Sequence, residues 1–183
     1  DLDRGERIAS FKRNEASIWS VAFAGGPAQF VSASHDWSVA LWDTSNTGAA
    51  KFVFDGHENA AQAVAYSGRD PYIASGGADK LVKLWSTETM SLVRTYRGHK
   101  DFVTGVEFSN DGRLLASASL DGGLRVWSTT SNRLVVSLIG HRGSINDLAF
   151  SPAGETLASA GEDGAVRLWD VRRGRTIASF ESP

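Results

Sequence analysis

The 183-residue chain contains no cysteine. Disulfides, thiolate metal ligands and cysteine nucleophiles are therefore excluded. There is one methionine, Met90, and no initiator, which leads us to expect a truncated or processed chain. No apolar run approaches the roughly 18–20 residues of a membrane-spanning helix, and no signal peptide is visible. Basic tracts are also missing: 19 Lys and Arg face 21 Asp and Glu, a net charge of −2. Sequence-independent nucleic-acid binding, which needs such tracts, is not expected. Gly-x-Ser-x-Gly, His-Glu-x-x-His, P-loop and Gly-x-Gly-x-x-Gly motifs are all absent, so no cofactor or metal site is expected. The remaining composition, 42% hydrophobic and 22% charged, is that of an ordinary soluble globular domain. With no targeting signal and no cysteine, the expected location is the cytoplasm, although a secreted setting also tolerates such a sequence.

What the chain does have is a period. Trp42, Trp85, Trp127 and Trp169 are spaced by 43, 42 and 42 residues. Asp36, Asp79, Asp121 and Asp163 stand six residues before each tryptophan, and Ser32, Ser75, Ser117 and Ser159 four residues before each aspartate. A Gly-His pair recurs as Gly56-His57, Gly98-His99 and Gly140-His141. Self-similarity at this period means one supersecondary unit repeated, each copy burying an apolar face against the next. The units run over 12–54, 55–96, 97–138 and 139–183, preceded by a short segment, 1–11.

Within the third copy, the stretch Asp101–Phe108 alternates towards its end, with Val106 and Phe108 on one side and Glu107 on the other. Asn110-Asp111-Gly112 is a turn, and Leu114–Ala118 a short apolar strand. Leu120–Gly123 is a hairpin turn rich in residues that tolerate positive φ. Leu124–Trp127 alternates again, Ser128–Asn132 is a loop, and Arg133–Leu138 a fourth strand. Short period-2 runs between turn residues predict antiparallel strands, not helices.

Gly-His, strand serine, turn aspartate and strand tryptophan at fixed offsets in nearly the whole chain resemble the WD-repeat family. The resemblance implies an all-β fold, a β-propeller of four-stranded antiparallel blades, with four blades present. It also implies one buried hydrogen-bonded set per blade: His57-Ser75-Asp79-Trp85, His99-Ser117-Asp121-Trp127 and His141-Ser159-Asp163-Trp169. A buried carboxylate needs donors, and an imidazole, a hydroxyl and a turn amide can supply them. In the first copy Asn14 replaces the histidine and Arg13 the glycine, so Ser32, Asp36 and Trp42 are expected to form a reduced set. The His-Ser-Asp combination superficially resembles a hydrolase triad. Because it recurs in three copies whereas an enzyme needs one site, no catalytic residue is expected.

Residues 1–11 read like residues 170–180, so the chain opens on a spare fourth strand. Phe11, Phe54, Tyr96, Leu138 and Phe180 mark five fourth strands for four three-strand sets. Either the four blades are an arc of a longer propeller, or two chains complete a larger ring. Free edges and bare end faces would make residues 1–11 and the end blades the adhesive surfaces of a homo-oligomer.

The resemblance further implies a rigid platform with a protein or peptide partner on the top face. Positions expected there are Ser17, Trp19, Ala60, Gln62, Phe102, Thr104, Ser144 and Asn146 at the starts of first strands. His35, Ala78, Leu120 and Glu162, each preceding a turn aspartate, are expected there too. Trp19 and Trp37 are the two tryptophans the repeat does not require, and with His35 they gather in the first copy. They read either as a binding hot spot or as packing, Trp19 filling the space of the missing histidine and Trp37 resting on a neighbouring blade. Phe102 with Leu120 is a smaller apolar pair. Lys100 and Arg142 could meet an acidic group, although Glu15 and Glu58 at equivalent positions favour solvated loop charges. The expected function is a non-catalytic protein-interaction scaffold. The alternatives are a self-assembling propeller fragment and the accessory domain of a larger enzyme.

Overall fold

In the computed structural model, residues 10–11, 16–25, 28–45 and 49–181 are described. They form sixteen strands and no helix. Blade 1 holds β1 (Ile18–Phe23), β2 (Gln29–Ser34), β3 (Val39–Asp43) and β4 (Phe52–Phe54). Blade 2 holds β5 (Ala61–Tyr66), β6 (Tyr72–Gly77), β7 (Val82–Ser86) and β8 (Ser91–Tyr96). Blade 3 holds β9 (Val103–Phe108), β10 (Leu114–Ser119), β11 (Gly123–Ser128) and β12 (Leu134–Ile139). Blade 4 holds β13 (Ile145–Phe150), β14 (Thr156–Gly161), β15 (Ala165–Asp170) and β16 (Arg175–Glu181). Each blade is a four-stranded antiparallel meander in chain order. The expected strands of the third copy are met within two residues at every end.

The hairpin between second and third strands is built the same way in every blade. The amide of Trp37, Lys80, Gly122 or Gly164 closes on the carbonyl three residues back. That residue then takes a left-handed φ of 77°, 69°, 75° or 73°. A tight turn followed by a left-handed residue is a favoured hairpin connection, and glycine suits the last position best.

The first strands β1, β5, β9 and β13 lie beside one another in that order. Consecutive blades therefore pack face to face, and three apolar cores lie between them. One face of each blade carries its tryptophan; the other carries small and aliphatic side chains, with Phe54 in blade 1 and Tyr96 in blade 2. Between blades 1 and 2, Trp85 and Ile73 pack against Val31, Val39, Leu41 and Phe54. Between blades 3 and 4, Trp169 and Leu157 meet Ala116, Leu124, Val126 and Leu138. Phe54 and Tyr96 stand against the next blade's tryptophan at 5.6 and 5.4 Å. Phe11 does the same to Trp42 of blade 1, at 5.8 Å. The expected strand over 1–11 otherwise lies outside the described residues, as does Asn14.

Glu107, on the opposite side of its strand from Val106 and Phe108, faces another blade rather than solvent. Its Oε2 accepts a hydrogen bond from the Phe150 amide of blade 4 at 2.7 Å. Alternation here separates two buried faces, because a blade is covered on both sides.

Candidate functional site

The repeated polar residues converge beneath one rim of the arc. A Cβ on Gly56 or Gly140 would stand 3.0 Å from the ring of Trp85 or Trp169. Glycine before the histidine is therefore what lets the chain pass over the indole. The histidine then turns inward. Nε2 of His57, His99 and His141 lies 2.7 Å from Oγ of Ser75, Ser117 and Ser159. Each hydroxyl also accepts the indole N–H of its tryptophan, at 2.8 Å for Trp85, 2.9 Å for Trp127 and 2.8 Å for Trp169. On the other side of the ring, Nδ1 lies 2.8 Å from Asp79 in blade 2, 3.3 Å from Asp121 in blade 3 and 2.8 Å from Asp163 in blade 4.

In blade 2 a single proton order satisfies the set, indole N–H to serine, serine O–H to Nε2 and Nδ1–H to carboxylate; in blades 3 and 4 an arginine Nη1, which can only donate, also lies against Nδ1. The carboxylate also takes the amide of the residue after the histidine, Glu58, Lys100 or Arg142, at 3.1, 2.7 and 2.9 Å. Those residues thus contribute backbone to the set, while their side chains are exposed. Burial pushes His99 down to about 4, and the Arg125 guanidinium adds to the shift, so the ring is neutral. Burial would raise Asp79, Asp121 and Asp163, but their donors outweigh it and hold all three below the usual carboxylate range.

The sequence reading missed Arg125 and Arg167. Nη1 of each donates to Asp121 or Asp163, at 3.1 and 2.7 Å, beside the imidazole. The available signal was a cation two residues before each tryptophan, on the same face of a strand that is otherwise apolar. Lys83 occupies the position in blade 2 and Ala40 in blade 1. In blade 1, Trp42 donates to Ser32 at 2.8 Å. Asp36, which is exposed, accepts from the amide and hydroxyl of Ser38 in its own turn.

These sets do not build a hydrolase. Ser75 and Ser117 are fully buried, each hydroxyl already serves an indole and an imidazole, and no substrate carbonyl could reach them. Among the described residues no group of three or more His, Asp or Glu is placed to hold a metal ion, and no helix is long and apolar enough to cross a membrane.

The polar sets fix the rim above them. In each blade the residue before the turn aspartate donates its amide to the start of the first strand. His35 bonds Ser17, Ala78 bonds Ala60, Leu120 bonds Phe102 and Glu162 bonds Ser144, all at 2.8–2.9 Å. The structure thereby brings these expected positions together pairwise. Phe102 and Leu120 form a half-exposed apolar pair in blade 3. Thr104 turns its hydroxyl to the Ile145 carbonyl of the next blade. Gln62 is half-buried, while Asn146 and Glu162 are exposed.

Blade 1 differs. The rings of Trp19 and His35 lie 6.3 Å apart and tilted. Trp19 is 55% exposed and Trp37 is 52% exposed, so about half of each indole stays in water. Trp37 also holds the left-handed turn position, which costs a side-chain-bearing residue about 1–2 kcal/mol relative to an ordinary conformation. Two clefts lie away from this rim. One, of about 380 Å³, is lined by Glu155, Asp170, Arg173 and Ile177; the other, of about 260 Å³, by Phe52, Phe54, Trp85, Met90 and Leu92. Neither contains any of the repeat histidines.

The family model described as "WD domain, G-beta repeat" matches residues 5–43, 48–86, 90–128 and 132–170. A serine-threonine kinase receptor-associated protein of Dictyostelium discoideum is 26% identical over 86 residues, 47% of this chain and 29% of that protein. A ribosome biogenesis protein WDR12 homolog of Anopheles gambiae is 32% identical over 91 residues, 46% of this chain and 21% of its own length. The pre-mRNA-splicing factor PRP46 of Candida albicans is 36% identical over 59 residues, 32% of this chain and 15% of its own length. The chain thus spans less than a third of each of these relatives.

Proposed function

This chain belongs to the WD-repeat family, and we propose that it is a non-catalytic protein-interaction scaffold whose partner docks on the rim of blade 1. The observation that carries this reading is Trp37. A bulky residue occupies a left-handed turn position where blades 3 and 4 place glycine, yet it leaves half its surface in water. Backbone strain gathers at functional sites, and exposed tryptophan is enriched at interaction hot spots. Trp19 and His35 extend the same aromatic surface. Phe102 and Leu120 in blade 3 offer a second, smaller contact.

Support also comes from the relatives, whose names refer to ribosome biogenesis and pre-mRNA splicing. Such different settings favour a reusable platform over a shared reaction, and one fold serves many functions through the residues displayed on it. The partner is a protein or peptide with an apolar or aromatic anchor. The test is affinity capture from the source organism with wild type, Trp19→Ala and Trp37→Gly. Proteins retained by wild type should be lost from both variants while their melting temperatures stay at or above wild type. Capture unchanged in both variants would rule out the blade 1 rim.

A further inference from the structure

We propose that the outer edge of blade 3 takes an extended segment of a partner protein as a fifth strand, a segment whose short apolar core is followed by acidic residues. The site is the free edge of β12, away from the blade 1 rim. Blade 3 has a blade packed on each face, and β12 ends its sheet on the side opposite β9, the strand that lies beside blades 2 and 4. Further blades would pack on blade 1 or blade 4 and leave this edge as it is. Edge strands present unpaired amides and carbonyls, and proteins commonly guard them with charge. Asp55, Arg97 and Glu181 stand one residue beyond Phe54, Tyr96 and Phe180, the partners of Val39, Val82 and Val166 in the third strands. The same position in blade 3 is Ile139, which is 83% exposed. Where blade 2 has Arg94, blade 3 has Val136. No charged residue occurs from Leu134 to Gly140, and Leu134 and Val135 are exposed as well.

The register of β12 with β11 shifts at Val135, which leaves Val136–Ile139 as the regular stretch. Strand addition along it joins main chain to main chain, and side chains at alternate positions set which segment fits. Charge selects the occupant. Arg133 stands exposed at the start of β12. Arg94 of blade 2 reaches the same end, its Nη2 donating to the Thr130 carbonyl at 2.9 Å. Neither guanidinium forms an ion pair with a described residue. Antiparallel pairing is the commoner kind, and an antiparallel segment brings its C-terminal end to these two cations, where a carboxylate can pair with them. A second copy of this chain, laid antiparallel on the same edge, would bring Gly140 and Arg142 there instead, so the occupant is a different protein.

Fluorescence anisotropy with labelled synthetic peptides tests this on the full chain. The peptide Val-Thr-Val-Thr-Glu-Glu should bind with a Kd on the order of 100 μM, as suits one short strand pair. Val-Thr-Val-Thr-Lys-Lys should bind about tenfold more weakly, and the acidic peptide should slow amide exchange within residues 136–139. Ile139→Lys gives blade 3 a charge where the other blades carry one. It alters an exposed side chain, so the melting temperature should stay at wild type while binding falls about tenfold. Arg133→Glu should weaken the acidic peptide up to about fivefold and strengthen the lysine peptide. No binding of either peptide at about 1 mM, or binding that Ile139→Lys leaves unchanged, overturns the proposal. Equal binding of the two peptides overturns the acidic preference. A mass that rises with concentration in light scattering for wild type but not for Ile139→Lys would assign the edge to a second copy. Loss of the peptide in Trp37→Gly would place it on the blade 1 rim instead.

Discussion

Phe23 and Phe108 occupy the same point of the repeat, pair with the equivalent residues of their second strands and point to the same face. One is 77% exposed and the other is buried. Nothing local distinguishes them. The difference lies in the neighbour: blade 2 covers Phe108, and among the described residues no blade covers Phe23. A blade of this kind has no core of its own; its apolar side chains become a core only when the next blade arrives. Blades 2 and 3 are packed against a blade on both sides. Among the described residues, blades 1 and 4 each have one face against another blade and one face that no other blade covers.

The sharpest way to break this comparison is through the polar sets. Asp121→Ala should destabilise the chain by about 3–5 kcal/mol, because it leaves Arg125, His99 and two amides without their acceptor. Asp36→Ala in blade 1, where the aspartate is exposed, should cost under about 1 kcal/mol. Denaturant midpoints measured side by side decide it, and equal losses would mean that the buried sets are not what separates blade 1 from the others. The apolar faces come next. Leu124→Ala removes side-chain volume from the core between blades 3 and 4 and should cost about 2–5 kcal/mol. Val166→Ala, at the same register on the uncovered face, should change stability by no more than about 0.5 kcal/mol in the monomer.

Acid should loosen the covered blades selectively. The folded His99 titrates near 4, below its ordinary 6.5. The unfolded chain therefore binds the proton first, and stability present above pH 6.5 is lost as pH falls towards 4, by about 3 kcal/mol in all. Asp79, Asp121 and Asp163 are depressed as well, so further stability is lost as pH falls below 3.8. His99→Gln should flatten the upper part of the profile and keep the lower part; thermal melts at stepped pH read both. An effect of opposite sign is expected at Trp37. Trp37→Gly relieves a left-handed backbone and should stabilise by up to about 1 kcal/mol, whereas Lys80→Gly, at the same turn position in blade 2, relieves the same backbone without removing an indole. A loss of stability in Trp37→Gly would show that the indole serves packing rather than display.

Much of this was legible in the residues. Trp85, Ser75, Asp79 and His57 recur at fixed offsets, and short alternating runs between Gly- and Asp-containing turns specify strands. The positions Phe102 and Leu120, or Ser17 and His35, were named for one rim, and a backbone hydrogen bond joins each pair. Other features were hidden for a physical reason. Glu107 reads as the solvent side of a strand because alternation usually separates core from water; here both sides face blades. Arg125 and Arg167 read as surface cations until the strand on which they stand proves buried and its carboxylate lies within reach. The exposure of Trp19 and Trp37 could be argued either way from sequence, since an indole beside a missing histidine can fill space or stand clear.

The sequence alone determined the unit: four strands, their turns, their polar set and their number. Those are set by local patterning and by offsets within about 42 residues, which one repeat contains entirely. The tertiary structure decided which faces are covered, that Phe11 takes the place of a preceding blade's aromatic on Trp42, and that Phe180 has no such site within the described residues. Burial is a relation between neighbours, and a repeat that reads the same at 23 and at 108 cannot say which of the two has one.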